Sequence, residues 1–209
     1  MYQQVSSRQL AGTLSAAYLV VSAALGGTLL MTSGQLHTGT LSPTGRVGPA
    51  LPGVGTDAAP TRPVPVGFET VDGPGDISTV VPAGWQVLRC ATNPNCMQAT
   101  DPAGGGQVLR FGGSPAEIAS IEQTQNSFVR GFKATRPGYR TIRFEKITHR
   151  GYPAVLWEFE WDSEPVRWHA RAMNWRVGGH DYMIYAASEI TRWEETESIH
   201  QAMVANSAP

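Results

Sequence analysis

Glu158 and Glu160 are the paired carboxylates of this chain, two residues apart in the run GYPAVLWEFEWDSEPVRWHARAMNWRV (residues 151–177). On an extended strand that spacing puts both on one face, roughly 7 Å apart, a separation that would suit general acid–base work on a glycoside. Arginines compete for them: Arg167 and Arg171 follow on the next stretch and would pair with the two glutamates across a sheet. A second chemical set is cationic. Arg167, His169 and Arg171 alternate on one stretch, and Arg140 and Arg143 precede them. Such a face would bind an acidic partner or a small anionic ligand.

Other chemistry is poorly provided for. Gly112-Gly113-Ser114-Pro115 lacks the Gly-x-Ser-x-Gly turn of a nucleophile elbow, and Ser114 reads instead as a helix cap. His149, His169, His180 and His200 show no spacing that would place two metal ligands on one helix face. The triple glycine Gly104-Gly105-Gly106 lacks the strand-to-helix setting of a phosphate loop. No cofactor is expected. Cys90 and Cys96 flank a five-residue Asn/Pro turn. Outside the cytoplasm they would close a small disulfide loop, stabilising by roughly 2 kcal/mol in the chain-entropy model.

These residues need a scaffold, and residues 151–177 supply its centre. Val155, Trp157, Phe159 and Trp161 alternate with Ala154, Leu156, Glu158 and Glu160. Asp162-Ser163-Glu164-Pro165 breaks the run, and Val166 to Val177 reads as a returning strand. Burial of one large aromatic side chain is worth roughly 1.5–3 kcal/mol, so the Trp-Phe-Trp line supplies much of a core. Further strands are predicted over residues 77–81, 85–89, 96–100, 107–111, 139–147 and 181–187. A helix is predicted to start at Ser114-Pro115-Ala116-Glu117, with Ile118, Ile121, Gln125, Phe128 and Phe132 as its inner stripe and Pro137-Gly138 as its stop. A last helix is predicted after a Ser188 cap, carrying Ile190, Trp193, Ile199 and Met203. This order describes an α+β domain, a mostly antiparallel sheet with packed helices.

The first third of the chain differs in composition. Charged residues make up 16% of the 209 residues, against roughly 25% in an average soluble protein, and the deficit falls before residue 67. After a ten-residue polar tail, residues 11–31 carry no charge and span roughly 30 Å as a helix, the thickness of a bilayer core. They read as a transmembrane helix or a signal segment, and the full length favours an uncleaved anchor over a cleaved peptide. Arg8 on the near flank, with no Lys or Arg on the far flank until Arg46, places the N-terminus inside and the rest outside. Residues 32–66, rich in Pro and Gly, read as a disordered spacer. Residues 67–206 form the extracytoplasmic domain. A formal net charge of −1 gives no field that would favour nucleic acid.

The succession of VPAGW (Val81 to Trp85), the Asp101–Gly106 loop, GYPAVLWEFEW, RWHARAMNW, GGHDYMIYAAS and a closing helix with Trp193 resembles the extracytoplasmic domain found in many actinobacterial proteins. That domain often follows a membrane segment and a Pro/Gly-rich linker at the C-terminus of Ser/Thr kinases, and it also occurs on stand-alone anchored proteins. The resemblance covers roughly residues 68–205 and implies a PsbP-like α/β/α sandwich. The ten residues before the apolar segment hold no kinase motif, so a stand-alone anchored protein is expected. Its domain would be a non-catalytic sensor or interaction module. The opposing expectation is an envelope enzyme acting on cell-wall glycans through Glu158 and Glu160.

Overall fold

The computed structural model describes residues 63–209, and the expected tail, membrane segment and most of the spacer lie outside the described residues. Among the described residues no helix is long and apolar enough to cross a membrane. The described residues open with a hairpin, β1 (Phe68–Asp72) against β2 (Ser78–Pro82), which forms its own two-stranded sheet. Seven more strands follow: β3 (Gln86–Arg89), β4 (Met97–Thr100), β5 (Val108–Pro115), β6 (Arg140–His149), β7 (Tyr152–Ser163), β8 (Val166–Val177) and β9 (His180–Glu189). They make one sheet in the order β3-β4-β5-β9-β8-β7-β6, antiparallel at every pairing. Among the described residues two α-helices complete the fold, α1 (Ile121–Thr135) between β5 and β6, and α2 (Trp193–Ala205) after β9.

The centre is the expected hairpin. Strands β7 and β8 pair from Ala154↔Trp175 to Ser163↔Val166, and two-residue turns join β6 to β7, β7 to β8 and β8 to β9. The last of these, Gly178-Gly179, has φ of 59° and 76°, the left-handed pair that matches strand twist and that glycine adopts without Cβ strain. Alternation along β7 then assigns the two faces. Trp157, Phe159 and Trp161 meet Phe132 of α1 edge-on at centroid distances of 5.8, 4.7 and 5.4 Å. Ala154 and Leu156 turn the other way and join Ile199 and Met203 of α2, with Ile77 and Val81 of the small hairpin. The molecule is therefore layered: α1, sheet, then α2 with β1–β2, as the α+β expectation required. The Thr79 hydroxyl donates to the Met203 carbonyl at 2.8 Å, tying β2 to α2.

The connection through α1 is a long crossover. Strands β5 and β6 run parallel with three strands between them, so α1 must lie across one face, and it packs on β7 and β8. Its start differs from the expectation. Ser114 and Pro115 are the last residues of β5, opposite Asp181 and His180 of β9. The cap is Ser120, whose hydroxyl accepts from the Gln123 amide at 3.2 Å while the Gln123 side chain accepts from the Ser120 amide at 3.0 Å. Ile118 consequently falls outside the helix and is exposed, and Phe128 lies at the surface, whereas Ile121, Gln125 and Phe132 are buried. Ser188 likewise is no cap. It ends inside β9 opposite His169, fully buried, and α2 begins five residues later at Trp193.

Candidate functional site

The five cationic residues singled out in the sequence converge on the α2 side of the sheet. Arg167, His169 and Arg171 lie along β8, opposite Asp162, Glu160 and Glu158 of β7. Arg140 and Arg143 of β6 stand opposite Glu160 and Glu158. Simple alternation would send Arg140 and Arg143 to opposite faces. The register shift between Thr141 and Arg143 inserts one extra residue and returns both to one face.

Every guanidinium in the set meets a carboxylate. Arg140 Nη2 and Arg167 Nε both lie 2.9 Å from Glu160 Oε2, and Arg167 Nη1 lies 2.5 Å from Asp162 Oδ1. Arg171 donates to Glu158 from Nε at 3.1 Å and Nη2 at 2.9 Å, and reaches Glu197 of α2 at 2.8 Å. Arg143 pairs with its neighbour Glu145 at 2.7 Å. His169 sits between the two glutamates, with Nε2 2.8 Å from Glu158 and Nδ1 3.4 Å from Glu160, and its ring stacks on Trp193 at 3.9 Å.

Burial decides what this network can do. Glu158 and Glu160 are 6% and 4% exposed, while the side chains of Arg140 and Arg143 remain 65% and 47% exposed. Burial alone would raise the Glu160 carboxyl, but the hydrogen bonds from Arg140 and Arg167 outweigh it and hold the group below the usual carboxylate range. The Arg171 hydrogen bond lowers Glu197 likewise. A general acid needs its proton near pH 7 and a substrate atom within about 3 Å. Glu160 does not keep that proton, its oxygens being engaged by Arg140 and Arg167, and Glu158 accepts from three donors already.

The remaining sequence candidates are placed as follows. Cys90 and Cys96 are joined by a disulfide, their Cα atoms 5.3 Å apart. Their loop folds back so that the Asn95 carbonyl occupies the space a Cβ on Gly112 would fill. His149 meets Trp175 at a tilt, their ring centroids 5.0 Å apart, and His180 flanks the Gly178-Gly179 turn. His200, on α2, is buried against the Ile184 carbonyl. Among the described residues no three His, Cys, Asp or Glu side chains gather into a metal-ligand set.

The opposite face holds a feature the sequence did not announce. α1 covers β7 and β8, while the part of that face formed by β4, β5 and β9 lies beyond the end of the helix. Ala187 of β9 is a small residue there. The result is a cavity of about 470 Å³. Gln98, Arg110 and Tyr185, consecutive partners across β4, β5 and β9, lie along its sheet side. Phe132, Trp161 and Trp168 also line it, the two indoles stacked at 5.7 Å. Arg110 is 8% exposed and donates to Gln98 at 3.0 Å. Burial pushes the Tyr185 hydroxyl up to about 12, so it stays protonated. The signal that was available was a charged Arg110 set between the apolar Leu109 and Phe111. Without strand order, nothing connects it with Trp161 or Trp168.

No curated protein matches the chain. Among solved structures, the PsbP protein of the cyanobacterium Synechocystis sp. PCC 6803 superposes with a TM-score of 0.54 at 12% identity, over 75% of this chain and 99% of that one. LpqN, described as involved in cell envelope biogenesis of Mycobacterium tuberculosis, superposes with a TM-score of 0.49 at 11% identity, over 68% of this chain and 90% of that one. The fold is thus PsbP-like. Residues 103–207, from the loop before β5 to the end of α2, match the family described as the serine/threonine kinase C-terminal domain, and the chain belongs to that family.

Proposed function

We propose that this chain is a non-catalytic recognition module displayed outside the cytoplasm, anchored by residues 11–31 and set off from the bilayer by residues 32–66. Its counterpart is another envelope protein or a small anionic ligand, and Arg140 and Arg143, with the most exposed guanidiniums of the cationic set, are the partner-facing candidates. Family membership supports the extracytoplasmic placement. The observation that carries the non-catalytic reading is the state of Glu158 and Glu160. Both are buried, and arginine and histidine groups already engage their oxygens, so the pair braces β6, β7, β8 and α2 rather than facing a substrate.

The test is the double variant Glu158→Gln/Glu160→Gln. Removing one partner of a buried ion pair costs about 3–5 kcal/mol, so urea unfolding should show a loss of that order. Purified wild-type protein should release no reducing ends from cell-wall glycan. Measurable glycan cleavage by the wild type, abolished in the double variant under conditions where it stays folded, would sink the proposal in favour of an envelope glycosidase.

A further inference from the structure

We infer that the cavity beyond α1 binds the pyranose ring of an uncharged saccharide. This goes beyond the recognition reading above, because the cavity lies on the α1 face of the sheet and Arg140 and Arg143 lie on the α2 face. At about 470 Å³ the space is within the roughly 300–1,000 Å³ typical of small-molecule pockets. Strand register sets a row along it: Trp161 of β7, Trp168 of β8 and Glu189 of β9 are direct neighbours. Cβ atoms of such neighbours lie roughly 5 Å apart, so Trp168 has an indole on one side and a carboxylate on the other. The two indoles stack at 5.7 Å, and Trp168 stays half-buried. Ser163 follows Trp161 on the same face, roughly 7 Å further along the strand, and Glu164 begins the turn beyond it. Polar groups therefore border the indole on two sides.

These polar groups are uncommitted. Among the described residues no ion pair or hydrogen bond engages the side chains of Ser163, Glu164 or Glu189, which all line the cavity. Other polar groups of the lining are already used: Arg110 is held by Gln98, and Asp101 accepts from the Ala103 and Gly105 amides. Arg136, also in the lining, adds a donor, its Nε being buried with no hydrogen-bond partner. Charge then selects the ligand class. Glu164 and Glu189 oppose an anion, and Arg136 opposes a cation. A purely apolar chain would leave all of these groups without partners, which costs free energy for each one desolvated. An uncharged sugar meets both kinds, because each hydroxyl donates to a carboxylate or accepts from a guanidinium. Its C–H face, in turn, lies flat on the apolar body of an indole. The ring would therefore rest on Trp168, with its hydroxyls toward Glu189, Ser163 and Glu164.

The experiment is protein-observed NMR on the full chain in a zwitterionic detergent, titrated with methyl glucoside, methyl galactoside and methyl N-acetylglucosaminide. Glycerol serves as a polyol without a ring face, and glucuronate and glucosamine as charged relatives of the first sugar. At least one neutral pyranoside should move the Trp161 and Trp168 indole NH signals at roughly 10 mM or below, and glycerol should not. Trp168→Leu, which keeps apolar bulk and loses the aromatic face, should weaken that binding about tenfold or more. Glu189→Ala, at the half-exposed end of β9, should do the same with the fold unchanged, so the site stays testable if the indole variant unfolds. No shift with any of the three pyranosides, equal shifts with glycerol, or unchanged affinity in Glu189→Ala would overturn the site. Tighter binding of glucuronate or glucosamine than of methyl glucoside would overturn the uncharged class. New sugar signals from a bound probe would overturn the non-catalytic reading instead, so the two failures are told apart in one titration.

Discussion

His200 shows how one buried side chain makes this fold sensitive to acid. Its imidazole is enclosed under α2, and burial first, with Arg171 adding to it, pushes its pKa down to about 4; the Ile184 carbonyl and Glu197 pull weakly the other way. The ordinary value is 6.5, so below that pH the unfolded chain takes up a proton that the folded chain refuses. Stability is therefore complete above about pH 6.5 and falls as the pH drops from there toward 4, by on the order of 3 kcal/mol in all. His149, lowered by partial burial beside Arg150, acts in the same direction. Glu160 and Glu197 add their own loss only further down, as the pH falls below their unfolded value of 4.5. Urea midpoints of the wild type should decline between pH 7 and 5. The decline should shrink in His200→Gln, and a midpoint that stays flat in the wild type would refute the argument.

At the scale of elements, the two helix starts separate what local sequence decides from what pairing decides. Ser114-Pro115-Ala116-Glu117 carries every local sign of a helix start, yet β9 offers Ser114 and Pro115 a partner strand, and eight consecutive pairings with β5 prevail. The true cap, Ser120 with Gln123, repeats the same capping pattern six residues later. Ser120→Ala should therefore destabilise the protein by about 1 kcal/mol. Ser114→Ala, whose hydroxyl caps nothing, should change stability by less than about 0.5 kcal/mol. Thermal or urea unfolding of the two variants side by side decides it, and a larger loss at Ser114 would restore the earlier start. The β7–β8 hairpin, by contrast, was legible because its period of two extends over twelve residues in each strand and carries the largest side chains in the chain. Its carboxylate–arginine pairing was legible for the same reason, since opposite charges faced each other across one turn. The β6 irregularity was not, because a single inserted residue leaves no mark on composition and is visible only against the partner strand. The cavity was illegible for a broader reason: Gln98, Arg110, Tyr185 and Trp168 come from four strands whose spatial order the sequence does not state.

For the whole molecule, the order of the strands bears on how the domain would behave in its compartment. Among the described residues the seven-stranded sheet ends at β3 and β6, and an unpaired edge invites pairing with other chains. Strand β6 is ten residues long, and Arg140, Arg143, Glu145 and Lys146 place charges along it, a pattern that discourages edge-to-edge association. Strand β3 has four residues and lies beside the Cys90–Cys96 loop, whose disulfide holds the chain as it leaves the edge for β4. Such a bond persists only in an oxidising setting, so the disulfide and the proposed outside placement stand or fall together. Intact cells making the full chain provide the check. Protease added from outside should cut within residues 32–66 and release a fragment beginning shortly before Phe68, where the β1 pairing starts. That fragment should resist further digestion and should take up thiol-alkylating reagent at Cys90 and Cys96 only after reduction. Full protection of the chain in intact cells, with both cysteines alkylated without reductant after lysis, would place the domain on the inner side and refute the displayed-module proposal.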